Sequence, residues 1–275
     1  MKIASWNIEG RLTLTTKKRR GTPEKILEMI EKISADVLIL PEAYIHQPAA
    51  GVDKRLREMG YEWQDARYDE RDDEHPDDNY IRVLSRFQIL ESKQLRWNDT
   101  RSLLAVTVED PKSRRKIRFI ATHLDERAEP RRLAQLKEAV LFINSTTIPT
   151  VMLGDFNAMH LDRKSRFIQS KIIKGAVSLI PHTWIRARGR MLIEMASGSS
   201  LQFLESTTNL RDIDPQHRPT TTPKLQKMEW MPSIRMAQID HIFVSPEIQA
   251  SDFKIARDGG SDHRAISVEM MLLGQ

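Results

Sequence analysis

At six places along the chain a chemically capable polar side chain sits at the end of, or inside, a short apolar run. Asn7 closes the run that begins at Ile3, and Glu42 follows Val37 to Leu40 across Pro41. His123 ends the run 117–122, and Asp155 and Asn157 follow 150–154. Asp240 and His241 interrupt an otherwise apolar strand, and Asp262 and His263 precede the last one. Loops at the ends of strands on a rigid scaffold are where active sites are commonly built. Taken singly, each residue reads as a turn, a cap or a packed histidine. Together they bring carboxylate, amide and imidazole groups to strand ends. The chain has no cysteine, which excludes a thiol nucleophile, a disulfide framework, a cysteine zinc site and an iron–sulfur cluster. Any metal must be held by oxygen or imidazole.

The elements that must position these groups are legible from periodicity. Residues 2–7 read as a strand. Thr22 and Pro23 form an N-cap followed by proline at the first helical position. Ile26, Ile30 and Ile33 then recur at helical spacing, which predicts a helix over 23–34 with one face inward. Val37 to Leu40 is a continuous apolar run, as in a strand covered on both faces. Val52, Leu56 and Met59 mark a short helix that Gly60 ends. Strands are predicted over 80–85, 89–96, 102–109 and 115–122. Pro130 opens a helix with Leu133, Leu136, Val140 and Ile143 on one stripe. A strand at 150–154 and a helical stretch at 160–174 follow. Little periodicity survives from 182 to 235, and strands return at 238–244, 252–256 and 265–272. Alternating strands and flanking helices predict an α/β sandwich.

The 275 residues allow two domains by length, but no Gly/Ser linker and no repeat divides them. Lys plus Arg exceed Asp plus Glu by 43 to 38, a net charge of +5 that fits an anionic partner without requiring one. Asp69 to Asp78 carries seven acids against one arginine, the pattern of a solvated loop. No apolar run approaches the roughly 18 residues of a membrane span, and Met1-Lys2 leads into a strand without a signal-type apolar region. The expectation is a cytoplasmic protein.

Six segments occur in the order of one known family: Ile3-Ala4-Ser5-Trp6-Asn7-Ile8-Glu9-Gly10, Pro41-Glu42, Thr122-His123-Leu124, Gly154-Asp155-Phe156-Asn157, Gln238-Ile239-Asp240-His241-Ile242 and Ser261-Asp262-His263-Arg264. The chain thereby resembles the endonuclease/exonuclease/phosphatase superfamily, which includes pancreatic-type deoxyribonuclease, abasic-site nucleases, inositol polyphosphate 5-phosphatases and bacterial sphingomyelinases. The resemblance implies a four-layer α/β sandwich, with two mostly antiparallel sheets face to face and helices outside, as one catalytic domain over 1–275. It also implies hydrolysis of phosphate esters with a divalent metal, Mg²⁺ or Mn²⁺. Glu42 is the leading implied ligand, with Asn7, Asp262 and Glu9 completing or supporting the site. Mg²⁺ prefers hard oxygen donors and keeps several waters, so few protein ligands suffice. Asp240 and His263 are implied as a carboxylate–imidazole pair, with His263 either a general base or a cationic clamp. Asp155 would orient or deprotonate water, and Asn157 would hydrogen-bond a phosphate oxygen. His123 matches the deoxyribonuclease, phosphatase and sphingomyelinase branches better than the abasic-site nucleases.

Basic clusters at Lys17-Lys18-Arg19-Arg20, Arg114-Arg115-Lys116, Arg131-Arg132 and Arg186-Arg188-Arg190 favour a nucleic acid substrate, although phosphate contacts alone position without specifying. The alternatives are a phosphatase or phosphodiesterase for inositol phosphates, nucleotides or phospholipids, and a catalytically silent nucleic-acid-binding module. The chain departs from the family at Leu40, where many nucleases have glutamine, and at Arg82, which replaces a small residue and is expected to face solvent or a phosphate.

Overall fold

The computed structural model describes residues 1–9, 22–43, 51–66, 81–96, 102–221, 237–256 and 260–274. In chain order its elements are β1 (Lys2–Ser5), α1 (Pro23–Ile33), β2 (Val37–Pro41), α2 (Val52–Glu58), β3 (Glu62–Ala66), β4 (Ile81–Ser85), β5 (Ile89–Arg96), β6 (Ser102–Glu109), β7 (Lys116–His123) and α3 (Glu129–Asn144). Then come β8 (Thr150–Asp155), α4 (Arg163–Ile168), α5 (Lys171–Ser178), α6 (Thr183–Met195), α7 (Ser199–Thr207), β9 (Arg211–Asp212), β10 (Asp240–Val244), β11 (Ile248–Ile255) and β12 (Ile266–Leu272).

The strands form two six-stranded sheets, in the orders β11-β12-β1-β2-β4-β3 and β5-β6-β7-β8-β10-β9. Each is mixed: β1 runs parallel to β2, β7 runs parallel to β8, and the remaining pairs are antiparallel. Side chains alternate between the faces of a strand, and the core divides accordingly. Ile3, Val37, Ile39, Phe119, Val151, Leu153, Ile242 and Val244 fill the space between the sheets. Ala4, Leu38 and Leu40 point the other way, against Ile26 and Ile30 of α1 and Leu56 of α2. Ile120, Met152 and Phe243 face Leu136 and Val140 of α3 and Leu201 and Leu204 of α7. Helix, sheet, sheet and helix are therefore the four layers. Strand β2 is buried along its whole length because it has a neighbour on both faces.

Local rules explain the boundaries. Thr22 Oγ1 accepts from the Lys25 amide (3.4 Å), Pro23 occupies the first turn, and Ser34 ends α1 in a left-handed conformation. The predicted helix over 160–174 is two helices, because Ser170 caps a new start by accepting from the Ile173 amide. The aperiodic stretch from 182 contains α6, α7 and the short β9. Arg82 does not face solvent or a substrate. Its side chain is 4% exposed and donates to Asp65 (2.8 and 3.0 Å) and Asp53 (3.0 Å), joining β4 to β3 and α2. No helix among the described residues is long and apolar enough to cross a membrane. The acidic run 69–78 and the basic run 17–20 lie outside the described residues.

Candidate active site

The central strands of both sheets end at one place. In the second sheet, β8 is flanked by β7 in parallel and β10 in antiparallel register, and His123 and Asp240 both pair with Asp155. Three polar side chains thus stand abreast at the sheet edge. Close approach at this point depends on Gly154. A Cβ there would lie 2.0 Å from the carbonyl oxygen of Thr122, and φ is +144°. In the first sheet the chain leaves β1 and β2 still hydrogen-bonded, Trp6 N to Ile39 O (2.9 Å) and Ile8 N to Pro41 O (3.3 Å), which brings Asn7 beside Glu42. Glu9, Glu42 and Asn157 all adopt positive φ, between 47° and 53°. That left-handed backbone is uncommon for residues other than glycine and concentrates at functional sites.

Asn7 joins the two sheets. Its Nδ2 donates to Glu42 Oε1 (2.9 Å) and Asp155 Oδ2 (3.0 Å), while its Oδ1 accepts from the Glu9 amide (3.0 Å). With two carboxylates on one side and an N–H on the other, this amide orientation is the one that satisfies every partner. Asn7 in this arrangement orients Glu42 and Asp155, and its own oxygen is already engaged. Ser261 Oγ donates to Asn7 O (2.7 Å) and accepts from His263 N (3.1 Å), and Trp6 Nε1 donates to His263 O (3.1 Å). The loop before β12 is thereby tied to the end of β1.

His263 Nδ1 lies 2.9 and 3.1 Å from the Asp240 carboxylate oxygens. Its Nε2 lies 3.7 Å from Asp155 Oδ2 and 3.9 Å from Asp262 Oδ1. Burial opposes a charged imidazole, but Asp240, Asp155 and Asp262 outweigh it and hold His263 well above its usual range. Asp155 is 1% exposed. Burial pushes it up to about 6, with the His263 charge opposing the rise and Asp240 reinforcing it. It keeps hydrogen bonds from Asn7 and from the Asn157 amide (2.9 Å). His123 Nε2 lies 3.7 Å from both Glu42 Oε1 and Asp155 Oδ2. Asn157 Nδ2 donates to Leu124 O (2.9 Å), which fixes its side chain in the loop beyond β8.

The nine residues that the resemblance implies for the site fall in or beside this cluster, whereas His241 turns to Asp212 and Ala158 instead. Asn7, Glu42, His123, Asp155, Asp240, Asp262 and His263 are linked by the contacts above, Glu9 adjoins Asn7 through its backbone, and Asn157 adjoins Asp155. The sequence reading missed Thr220. Its Oγ1 donates to Asp240 Oδ2 (2.6 Å) and accepts from the Ile239 and Asp240 amides (3.2 Å each). Its neighbour Thr221 bridges to His263. The pair Pro219 and Pro223 around three threonines was the available signal, in a stretch without periodicity.

The basic clusters divide. Arg132 is fully buried, donating to Glu129 (2.7 Å), Asp125 O (2.8 Å) and Glu194 O (2.6 Å), so it is structural. Arg114 pairs with Glu109, Lys116 with Glu91, and Arg115 donates to Leu273 O. Arg190 lines a cavity of about 540 Å³ with Arg127, Lys174, Gln169, Glu194 and Ser197. This cavity lies between α5, α6 and the loop that leaves His123. Leu161, Phe167, Ile172, Leu179 and Ile185, on or beside α4 to α6, are exposed.

The sequence profile described as the Endonuclease/Exonuclease/phosphatase family matches residues 4–263. No curated protein matches the chain. Among solved structures, an endonuclease/exonuclease/phosphatase from Beutenbergia cavernae is 18% identical, with TM-score 0.66 over 100% of this chain and 72% of the other. A 3′ phosphatase from Neisseria, bound to a product DNA hairpin, is 19% identical with TM-score 0.65 over 98% and 99%. A mannosyl-6-phosphatase from Bacteroides thetaiotaomicron is 15% identical with TM-score 0.61 over 99% and 100%.

Proposed function

The chain belongs to the endonuclease/exonuclease/phosphatase family, and from that premise we propose that it is a divalent-metal-dependent phosphodiesterase acting on DNA or RNA as one catalytic domain. The observation that supports it most directly is the buried Asp240–His263–Asp155 array next to Glu42. It sets an imidazole that the surrounding carboxylates hold well above its usual range beside a carboxylate that burial raises to about 6.

The donor set suits a hard cation. Glu42 with Asp262 and Glu9 offers carboxylate oxygen and no thiol, while Asn7, whose own oxygen is engaged, supports the site by holding Glu42, whose side chain is 24% exposed. Mg²⁺ or Mn²⁺ held there would neutralise phosphate charge and stabilise the leaving oxygen. The protein's own groups do the rest. Asp155, at about 6, accepts a proton from the attacking water above that pH. His263, charged and locked by Asp240, clamps a non-bridging phosphate oxygen, and the Asn157 amide adds a second donor. His123 stands where it can hold or protonate the leaving oxygen. The Neisseria 3′ phosphatase, bound to a DNA hairpin, and the cations Arg127, Lys174 and Arg190 beside the loop that leaves His123 favour a polyanionic substrate over a small ester.

A panel of single-stranded, double-stranded, abasic and 3′-phosphate-ended DNA and RNA, with small phosphate esters alongside, tests this in Mg²⁺ or Mn²⁺. The expected result is cleavage of a nucleic acid that EDTA, Glu42→Gln or His263→Ala abolishes. Turnover of small esters alone would move the assignment to a phosphatase. Absence of any metal-dependent turnover, with Glu42→Gln indistinguishable from wild type, would reject it.

A further inference from the structure

His241 follows Asp240 on β10, and strand alternation sends its side chain to the opposite face, away from the space between the sheets. There it meets a second polar cluster. Its Nε2 donates to Ala158 O (2.9 Å), and its Nδ1 lies 2.7 Å from Asp212 Oδ2. His160 Nε2 lies 2.7 Å from that same oxygen. The other oxygen of Asp212 accepts from the Asp214 amide (3.0 Å), which fixes the carboxylate. His241 is fully buried, and the side chains of Asp212 and His160 are 5% and 13% exposed. The ring of His217 stacks on His160 with centroids 4.2 Å apart, and its Nδ1 is buried without a hydrogen-bond partner.

With Nε2–H committed to a backbone carbonyl, a neutral His241 turns a lone pair at Nδ1 toward a carboxylate. Two lone-pair donors 2.7 Å apart require a cation between them. That cation is either a proton or a metal ion. With a proton, His241 and Asp212 are an imidazolium–carboxylate pair that, against burial, lifts the imidazole and lowers the carboxyl; with a metal, the bond from Nε2 to a backbone carbonyl is the one by which ligating histidines aim their other nitrogen. The three ligand atoms, two imidazole nitrogens and one carboxylate oxygen, lie within 4.8 Å of one another. That donor set suits Zn²⁺ and related transition ions rather than Mg²⁺. Bonds of about 2.0–2.1 Å at tetrahedral angles place ligand atoms about 3.3 Å apart, so the cluster must open by roughly 0.6 Å. His160, in the loop between β8 and α4 and 13% exposed, is the one of the three ligands that no strand holds.

We propose that His160, Asp212 and His241 form a structural site for a zinc-class transition metal ion, separate from the oxygen-lined catalytic site, with His217 Nδ1 or water as the fourth donor. The ligands come from the β8–α4 loop, β9 and β10. The ion would pin the loop that carries Asn157 to the edge of the second sheet.

The test uses the full chain, stripped with EDTA and then kept in excess Mg²⁺ so that hard-cation sites are filled. Zn²⁺ is titrated against a chromophoric chelator, and Co²⁺ is titrated in parallel and read by visible absorption. The expected result is one equivalent of Zn²⁺ per chain and intense visible Co²⁺ bands of tetrahedral type. Both persist in Glu42→Gln and His263→Ala, and Zn²⁺ affinity falls about 100-fold or more in His160→Gln. Zn²⁺ should also raise the unfolding temperature of wild type and leave that of His160→Gln unchanged. Circular dichroism checks the variant's fold, and Asp212→Asn is read in its place if it does not fold. Binding that survives in the cluster variants, binding lost in His263→Ala, or no stoichiometric Zn²⁺ binding in excess Mg²⁺ would overturn the proposal.

Discussion

Asp155→Asn should make the protein inactive and more stable at neutral pH. Burial lifts Asp155 from its ordinary 3.8 to about 6 in the folded chain. A carboxylate whose folded pKa is raised favours the fold below the unfolded pKa and loses that contribution as pH rises through the folded value. The gap is about 2.2 in pKa, and at 1.36 kcal/mol for each unit, ionised Asp155 costs the fold about 3 kcal/mol at pH 7. Asparagine removes that charge. Its carbonyl still accepts from the Asn157 amide, but its NH2 faces the Asn7 Nδ2 donor and forfeits that bond. Losing it costs about 1–2 kcal/mol. The net gain is about 1–2 kcal/mol, or roughly 2–8 °C in unfolding temperature for a chain of this size. Thermal unfolding in EDTA at pH 7.0 and pH 4.5 measures it. The cost of ionisation falls to about 1 kcal/mol at pH 4.5, so the advantage of the variant should vanish or reverse there. If Asp155→Asn is less stable than wild type at pH 7 by the same margin as at pH 4.5, Asp155 does not carry a buried charge and its role as a base fails with it.

The same groups set the pH profile. Turnover should rise through about pH 6 as Asp155 ionises and fall only on the alkaline side, where His263 loses its proton; Asp240→Asn should draw that alkaline limb to lower pH and lower kcat about 10²–10⁴-fold. Thr220→Val removes the hydroxyl that orients Asp240, and should lower kcat more than it changes KM, with the alkaline limb displaced; Thr220→Ser should restore both. Gly154→Ala sets a Cβ 2.0 Å from Thr122 O, so β7 and β8 must separate; a loss above about 3 kcal/mol in denaturant unfolding, or no soluble protein, is expected. Arg82→Leu leaves Asp65 and Asp53 partly exposed to water, and should cost about 1–3 kcal/mol of stability with kcat unchanged.

The site was legible because its residues lie in short local segments whose strands announce themselves by apolar runs. What escaped notice depends on distant partners. Thr220 matters through its contact to Asp240, and its neighbour Thr221 through its bridge to His263, twenty and more residues away, across a stretch with no period to count. His160 and Asp212 are unremarkable where they stand; only the pairing of β9 with β10 brings Asp212 to His241. Arg82 was misread for the same reason, since Asp65 on β3 and Asp53 on α2 neutralise it. The helix at 160–174 was broken by a serine cap that helical spacing alone does not reveal.

Strand parity explains why the candidate site residues converge. Asn7 shares parity with Ile3, His123 with Phe119 and Ala121, Asp155 with Val151 and Leu153, and Asp240 with Ile242 and Val244, and all of these apolar partners fill the space between the sheets. The candidate active site is therefore the polar continuation of the central core, reached where the strands run out. Glu42 is out of parity with Val37 and Ile39, and its left-handed backbone, φ +53°, is the turn that brings its carboxylate to Asn7. His241 and Phe243 hold the other parity and pack outward, with Phe156 edge-on to His241 at 5.5 Å. One strand thus presents Asp240 to His263 in the candidate site and His241 to a separate buried cluster. A single-residue insertion within β10 would exchange the two, since a slip of one residue turns every side chain to the other face.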